Sequence, residues 1–225
     1  MQPIPLRAML VALCTVMMTI PTPGKAASDA DLALVSAAGR GDLGVVESLI
    51  RDGASVKAHD AKGRTALLAA TQSDHIAVAR ALIAAGADVN AKDSNEDSPF
   101  LYAGAEGRNG ILRMTLGAGA DLKSVNRFGG TALIPAAHHG HVQTVRILLG
   151  TAIDKDHVNK LGWTALLEAI VLGDGSGVYT EIVQLLVQAG ADVNRADKDG
   201  VTPLQHARQR GYSEIVRILQ SRGAK

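Results

Sequence analysis

Cysteine is almost missing from this 225-residue chain, which contains only Cys14. A single thiol closes no internal disulfide, so a small scaffold stapled by sulfur is excluded. Aromatic residues are scarce as well, at 3% of the chain, with one Trp, three Tyr and two Phe. Any core must therefore be built from Ala, Leu, Val and Ile, and a stacking platform for nucleic acid is not available. There is no excess of charge of one sign: 23 Lys and Arg stand against 22 Asp and Glu. Nothing electrostatic draws the chain to nucleic acid or to an anionic membrane. No nucleophile elbow, phosphate loop, HExxH or CxxC pattern occurs. What remains is ordinary globular composition, 47% hydrophobic and 20% charged.

The first 26 residues differ from the rest. Arg7 precedes the apolar run AMLVALCTVMMTI, residues 8–20, which is followed by PTPGKAAS. A basic start, a short apolar stretch and small residues read as an export signal, cleaved near Ala26/Ala27. A bilayer span needs about 20 apolar residues, so an uncleaved membrane anchor is the alternative reading. Cys14 lies in the removed segment, and Leu13 is bulky where a lipoprotein signal needs a small residue. The expected location is periplasmic or secreted, and the mature chain would carry no thiol and contact no membrane.

The rest of the chain repeats. GRTALLAA (63–70), EDSPFLYAGA (96–105), GGTALIPAA (129–137), GWTALLEAI (162–170) and GVTPLQHA (200–207) set a hydroxyl at Thr65, Ser98, Thr131, Thr164 and Thr202, with gaps of 33, 33, 33 and 38 residues. A second series runs in step: GASVK (53–57), GADVN (86–90), GADLK (119–123), AIDKD (152–156) and GADVN (190–194). Between them lie apolar patterns of helical period, such as IAVARALIAAG (76–86). Each unit reads as a short helix capped by the hydroxyl, a Gly turn, a longer helix ended by Gly, and a polar hairpin. Pro99 and Pro203 sit just after the hydroxyl, where a missing N–H costs nothing. One such pair of helices cannot bury its apolar faces alone, but a stack can.

In the last unit Asp197, Gly200, Thr202, Pro203, Leu204, Ala207, Gly211, Ile215, Val216 and Leu219 form a pattern that resembles the ankyrin repeat. The resemblance covers residues 29–225. It implies an all-α solenoid of stacked helix-turn-helix units with hairpin loops, about five full repeats plus a degenerate N-terminal cap. The expected division is a signal peptide at 1–26 and a repeat domain at 27–225. Within that domain lie the cap at 27–59, units at 60–92, 93–125 and 126–158, a unit at 159–196 with an insertion near 173–177, and a polar C-terminal cap at 197–225.

Some positions depart from the pattern. Glu96 replaces a turn Gly and Thr115 a Leu, so unit 93–125 is expected to be looser. Ala152 replaces a helix-ending Gly and Lys155 a Val, which predicts an irregular hairpin at 151–158. Three glycines in GDGSG (173–177) predict a flexible, protruding loop.

The resemblance implies that hairpin tips and inner helices form a concave binding surface. In that register Arg64 and Trp163 immediately precede a hydroxyl, and Arg127 and Phe128 lie three or four residues before one. Trp163 and Phe128 are candidate anchors; the bland alternative is packing against a neighbouring hairpin. Ala69, Tyr102, Pro135, Glu168 and His206 stand four residues after each hydroxyl. Tyr102, Glu168 and His206 either open onto the groove or belong to an internal hydrogen-bond network. His138, His139 and His141 cluster in AAHHGHV, but only the first two fall on the groove, because the Gly-His pair at 140–141 belongs to the repeat pattern. Adjacent helical histidines point about 100° apart and cannot both serve one ion, so no metal and no cofactor is expected. The candidate site is Arg64, Tyr102, Glu106, Arg127, Phe128, His138, His139, Trp163 and Glu168. The expected function is non-catalytic binding of another protein by a monomer acting as scaffold or adaptor. The alternative is a small polar ligand, or weakly a hydrolytic site, in a pocket closed by the GDGSG loop.

Overall fold

The computed structural model describes residues 27–225, so the export signal and Cys14 lie outside the described residues. Twelve helices, and no strand, are present among them. They form six pairs: α1 (Asp29–Arg40) with α2 (Leu43–Arg51), α3 (Ala66–Gln72) with α4 (Ile76–Ala84), and α5 (Pro99–Ala105) with α6 (Asn109–Gly117). Then follow α7 (Leu133–His138) with α8 (Val142–Leu149), α9 (Ala165–Val171) with α10 (Gly177–Gln188), and α11 (Pro203–Gln209) with α12 (Ser213–Gln220). The odd-numbered helices pack on one another in sequence, and so do the even-numbered ones, which makes a two-layered solenoid of stacked helical repeats.

The periodic apolar positions are the buried ones. Leu67, Phe100, Leu133, Leu166 and Leu204, each two residues after the hydroxyl, are fully or almost fully buried. In the even layer Leu82, Leu148, Leu186 and Leu219 are equally buried, and each such side chain contributes about 1.5–3 kcal/mol on leaving water. Thr115 takes the same place in unit 93–125, and its buried hydroxyl donates to the Leu112 carbonyl at 2.9 Å.

Capping follows the expected pattern in four units. The side chains of Thr65, Ser98, Thr164 and Thr202 accept from the backbone N–H groups of Leu68, Leu101, Leu167 and Gln205. Thr131 is the exception, and its hydroxyl is buried without a partner. The cause is Pro135. In the other units the N–H four residues on bonds the hydroxyl residue's carbonyl, as Glu168 does to Thr164 at 2.9 Å. Proline has no N–H to offer. The Thr131 carbonyl instead takes the Ile134 N–H at 3.1 Å, the helix starts late, and the hydroxyl is left without its donor.

The departures resolve in different ways. Glu96 adopts the left-handed φ of +63° that Gly63, Gly129, Gly162 and Gly200 adopt elsewhere. Its turn keeps its hydrogen bonds, Glu96 N–H to Asp93 at 3.0 Å and Asp93 N–H to Asp97 at 2.9 Å. The departure is absorbed as backbone strain rather than as a loosened hairpin. At Ala152 the chain avoids the left-handed region. Ile153 N–H bonds the Thr151 hydroxyl at 3.2 Å, where Ala87, Ala120 and Ala191 bond a helix carbonyl, so this hairpin is irregular.

In the GDGSG stretch Asp174, Ser176 and Gly177 are exposed, while the first two glycines are packed. Gly173 is buried, and its carbonyl accepts the Tyr212 hydroxyl at 2.9 Å. A Cβ at Gly173 would lie 2.2 Å from the Ala169 carbonyl and 2.5 Å from the Tyr179 ring; one at Gly175 would lie 2.4 Å from the Tyr212 ring. Gly173 and Gly175 thus allow close packing against two tyrosines.

Candidate functional site

A cavity of about 370 Å³ opens between the hairpins and the odd-layer helices of units 93–125, 126–158 and 159–196. It exists because its middle unit is small. Gly130 holds the place occupied elsewhere by Arg64, Asp97, Trp163 and Val201, and Pro135 holds the place of Tyr102, Glu168 and His206. Both line the cavity, together with Ile134.

The hairpins explain how Glu168 is held. Asp60, Asp93, Asn126, Asn159 and Asp197 each accept turn N–H groups on Oδ1, as Asn159 does from Leu161 at 2.9 Å and Trp163 at 3.0 Å. The second side-chain atom reaches for a partner on the unit's own scaffold. Asp60 meets Arg64, Asp197 meets His206 Nε2 at 2.7 Å, and Asn159 Nδ2 donates to Glu168 Oε1 at 2.8 Å. Asp93 Oδ2 is buried with no hydrogen-bond partner. His206 and Glu168 are thus clasps between hairpin and helix. The pairing is matched in kind, because an amide can donate to ionised Glu168 where an aspartate would repel it.

Glu168 also faces the cavity. It is only 5% exposed, and its Oε2 lies 3.4 Å from His138 Nδ1. Burial pushes its carboxyl up to about 7, against the opposing pull of the Asn159 hydrogen bond and of His139. Burial, with repulsion from His139, holds His138 below the ordinary imidazole range. Near neutral pH the pair is therefore not a strong ion pair. His139 is exposed, and its Nδ1 lies 2.8 Å from the Ala105 carbonyl, a link to the preceding unit. The two imidazoles are tilted against each other with centroids 4.8 Å apart.

The opposite wall carries Asp97, Tyr102, Glu106, Arg127 and Phe128. Burial and the neighbouring Asp93 raise the Asp97 carboxyl; Arg127, with Nη1 at 3.7 Å, opposes the rise. Burial and the Glu106 charge raise the Tyr102 hydroxyl. The Arg127 guanidinium lies 4.8 Å from the centroid of the Phe128 ring. Phe128 is itself 52% exposed.

Seven of the nine candidates therefore meet at one cavity: Tyr102, Glu106, Arg127, Phe128, His138, His139 and Glu168. Two do not. Arg64 is tied down in its own unit by Asp60 at 2.7 Å and Gln72 at 3.2 Å. Trp163 is half-buried and outside the lining; its N–H and carbonyl are both bonded to Asn159, which fixes it in the hairpin. His141 stands at the start of α8 with its ring against Gly107, as His75 stands against Gly41, so it belongs to the scaffold. Sequence reasoning missed Leu161, 52% exposed, and Leu172, 41% exposed, both of which line the cavity. Among the described residues no three His, Cys, Asp or Glu side chains come together to hold a metal ion. No helix among them is long and apolar enough to cross a membrane.

A family model described as ankyrin repeats matches residues 12–93, 100–197 and 175–225. The crystal structure of an ankyrin repeat domain from Acinetobacter baumannii AYE is 57% identical, with a TM-score of 0.84, over 86% of this chain and 98% of that one. The ankyrin repeat protein YahD of Escherichia coli (strain K12) is 51% identical over 57 residues, 25% of this chain and 28% of YahD. Protein phosphatase 1 regulatory subunit 12A of Mus musculus is 56% identical over 41 residues, 18% of this chain and 4% of that protein. The chain thus spans about a quarter or less of these two curated relatives.

Proposed function

This chain belongs to the ankyrin-repeat family, and from that premise we propose that it binds another protein through the groove centred on unit 126–158. The fold is generally a non-catalytic protein-interaction module. One observation carries the finer reading. Phe128, Leu161 and Leu172 are large apolar side chains left exposed, and all three stand around the cavity that Glu168, His138 and Arg127 also line. Exposed apolar residues around a recess with fixed polar groups have the anatomy of a protein-binding hot spot. The polar groups are already held by Asn159, Ala105 and Asp97, so little side-chain order is lost on binding. The GDGSG loop contributes nothing to the lining, so the recess lacks the lid that a small-ligand site would use.

The chain would act by occupying a partner's surface, as a scaffold or regulatory adaptor and not as a catalyst. Relatives named as regulatory subunits of a phosphatase fit such a mode. We place it, after removal of the leader, in the periplasm or outside the cell; N-terminal sequencing of the fractionated protein tests that step. The binding test is Phe128→Ala combined with Leu161→Ala. Capture of a partner from an extract should be lost while the melting curve is unchanged. Full capture by this variant would remove the groove from the reading.

A further inference from the structure

The cavity holds more acid than base. Asp97, Glu106 and Glu168 line it, against one permanent cation, Arg127. Arg127 is already engaged by Asp97 and by the Phe128 ring. Behind Tyr102, Arg108 is drawn to Asp74 at 3.8 Å. His138, held below its ordinary range, adds little positive charge near neutral pH. Glu168 Oε2 therefore sits desolvated with only a 3.4 Å imidazole contact, and a buried carboxylate left this way is short of a partner. Tyr102, one helical turn before Glu106, supplies an aromatic face beside it. Arg127 on Phe128 shows the same chemistry nearby: the groove already holds one guanidinium between an aromatic ring and a carboxylate.

We propose that the cavity takes a basic side chain of the partner protein, an arginine or lysine, seated against Tyr102 between Glu106 and Glu168. The exposed Phe128, Leu161 and Leu172 receive the apolar residues that flank it. The proposal rests on the reading of this groove as a protein-binding surface, and it names the partner's chemistry. An entering cation is satisfied best by ionised Glu168, so binding tightens as pH rises. With a carboxyl near 7, roughly a tenth is ionised at pH 6 and nine-tenths at pH 8, which makes the affinity about tenfold higher at pH 8. His138, held below the ordinary imidazole range, adds little charge there, and Asp97, whose carboxyl burial raises, faces the same cavity with Glu106 and Arg127.

The test uses the full mature chain and four peptides, acetyl-Gly-Leu-X-Leu-Gly-amide with X as Arg, Lys, Gln or Glu. The side-chain amide signal of Asn159, bonded to Glu168, is followed by NMR during titration. The Arg and Lys peptides should shift it and bind at least about fivefold more tightly than the Gln peptide at pH 8, a difference of about 1 kcal/mol. Glu168→Gln should abolish that preference and flatten the rise of affinity with pH. Equal binding of all four peptides, a preference for the Glu peptide, or no binding of either cationic peptide at ~5 mM overturns the proposal. In each case partner capture that depends on Phe128 and Leu161 would leave the protein-binding reading standing. Loss of that dependence would bring down both.

Discussion

Glu168→Gln is expected to make this protein more stable at pH 8 and to change little at pH 4.5. The carboxyl is raised from its ordinary 4.5 to about 7 because burial disfavours its charge. Between these values the folded chain holds a proton that the unfolded chain releases. The contribution of Glu168 is thus greatest below pH 4.5, falls as pH rises toward 7, and is constant above. At ~1.4 kcal/mol per pH unit the whole change is about 3 kcal/mol. Glutamine removes the titration and keeps the architecture. Its carbonyl still accepts the Asn159 amide, and its own amide replaces Oε2 beside a neutral His138. Urea unfolding of both proteins from pH 4.5 to 8.5, read as the difference between them, isolates this group, because Asp97 and His138 titrate in both. The variant should gain up to ~3 kcal/mol by pH 8, with the rise falling between pH 5 and 7. Parallel curves, or a variant weaker at pH 8, would refute the claim that Glu168 is a buried carboxylate without adequate compensation.

Three further substitutions test the scaffold. Glu96→Gly should stabilise by about 1 kcal/mol, because the left-handed φ of +63° strains any side chain there; an unchanged urea midpoint counts against that strain. Gly173→Ala should cost more than ~2 kcal/mol, because its Cβ meets the Ala169 carbonyl and the Tyr179 ring; a wild-type melting temperature would show that the loop yields. Thr131→Val should be neutral or stabilise by ~1 kcal/mol, since the lost hydroxyl bonds nothing, whereas Thr164→Val should cost about 1 kcal/mol with its cap. Equal losses at Thr131 and Thr164 in matched unfolding curves would show that the two hydroxyls do the same job.

The architecture was legible because every unit states the same local rules. A hydroxyl, a run of small apolar residues, and apolar residues three and four apart recur in phase, and burial follows that phase even where Thr115 replaces Leu. The candidate site was harder to read, because it arises where the rule is broken by subtraction. Gly130 and Pro135 stand in register with bulkier residues, but the empty space they leave depends on Tyr102 and Glu168, contributed by the units on either side. Leu161 and Leu172 carry no sequence mark that singles them out, and only the stack shows how far they stay exposed beside the cavity. Trp163 was legible as a hairpin aromatic, and the structure sets it outside this lining, in a hairpin whose backbone Asn159 holds through both its N–H and its carbonyl. The same Asn159 presents Glu168 to the cavity. One side chain thus both ties the hairpin together and holds the carboxyl that faces the cavity. Asn159→Asp should therefore weaken partner capture at pH 8 by more than its loss of folded protein in a melting curve accounts for, because it places two acids where a donor met an acceptor; capture that falls only in step with the folded fraction would count against this.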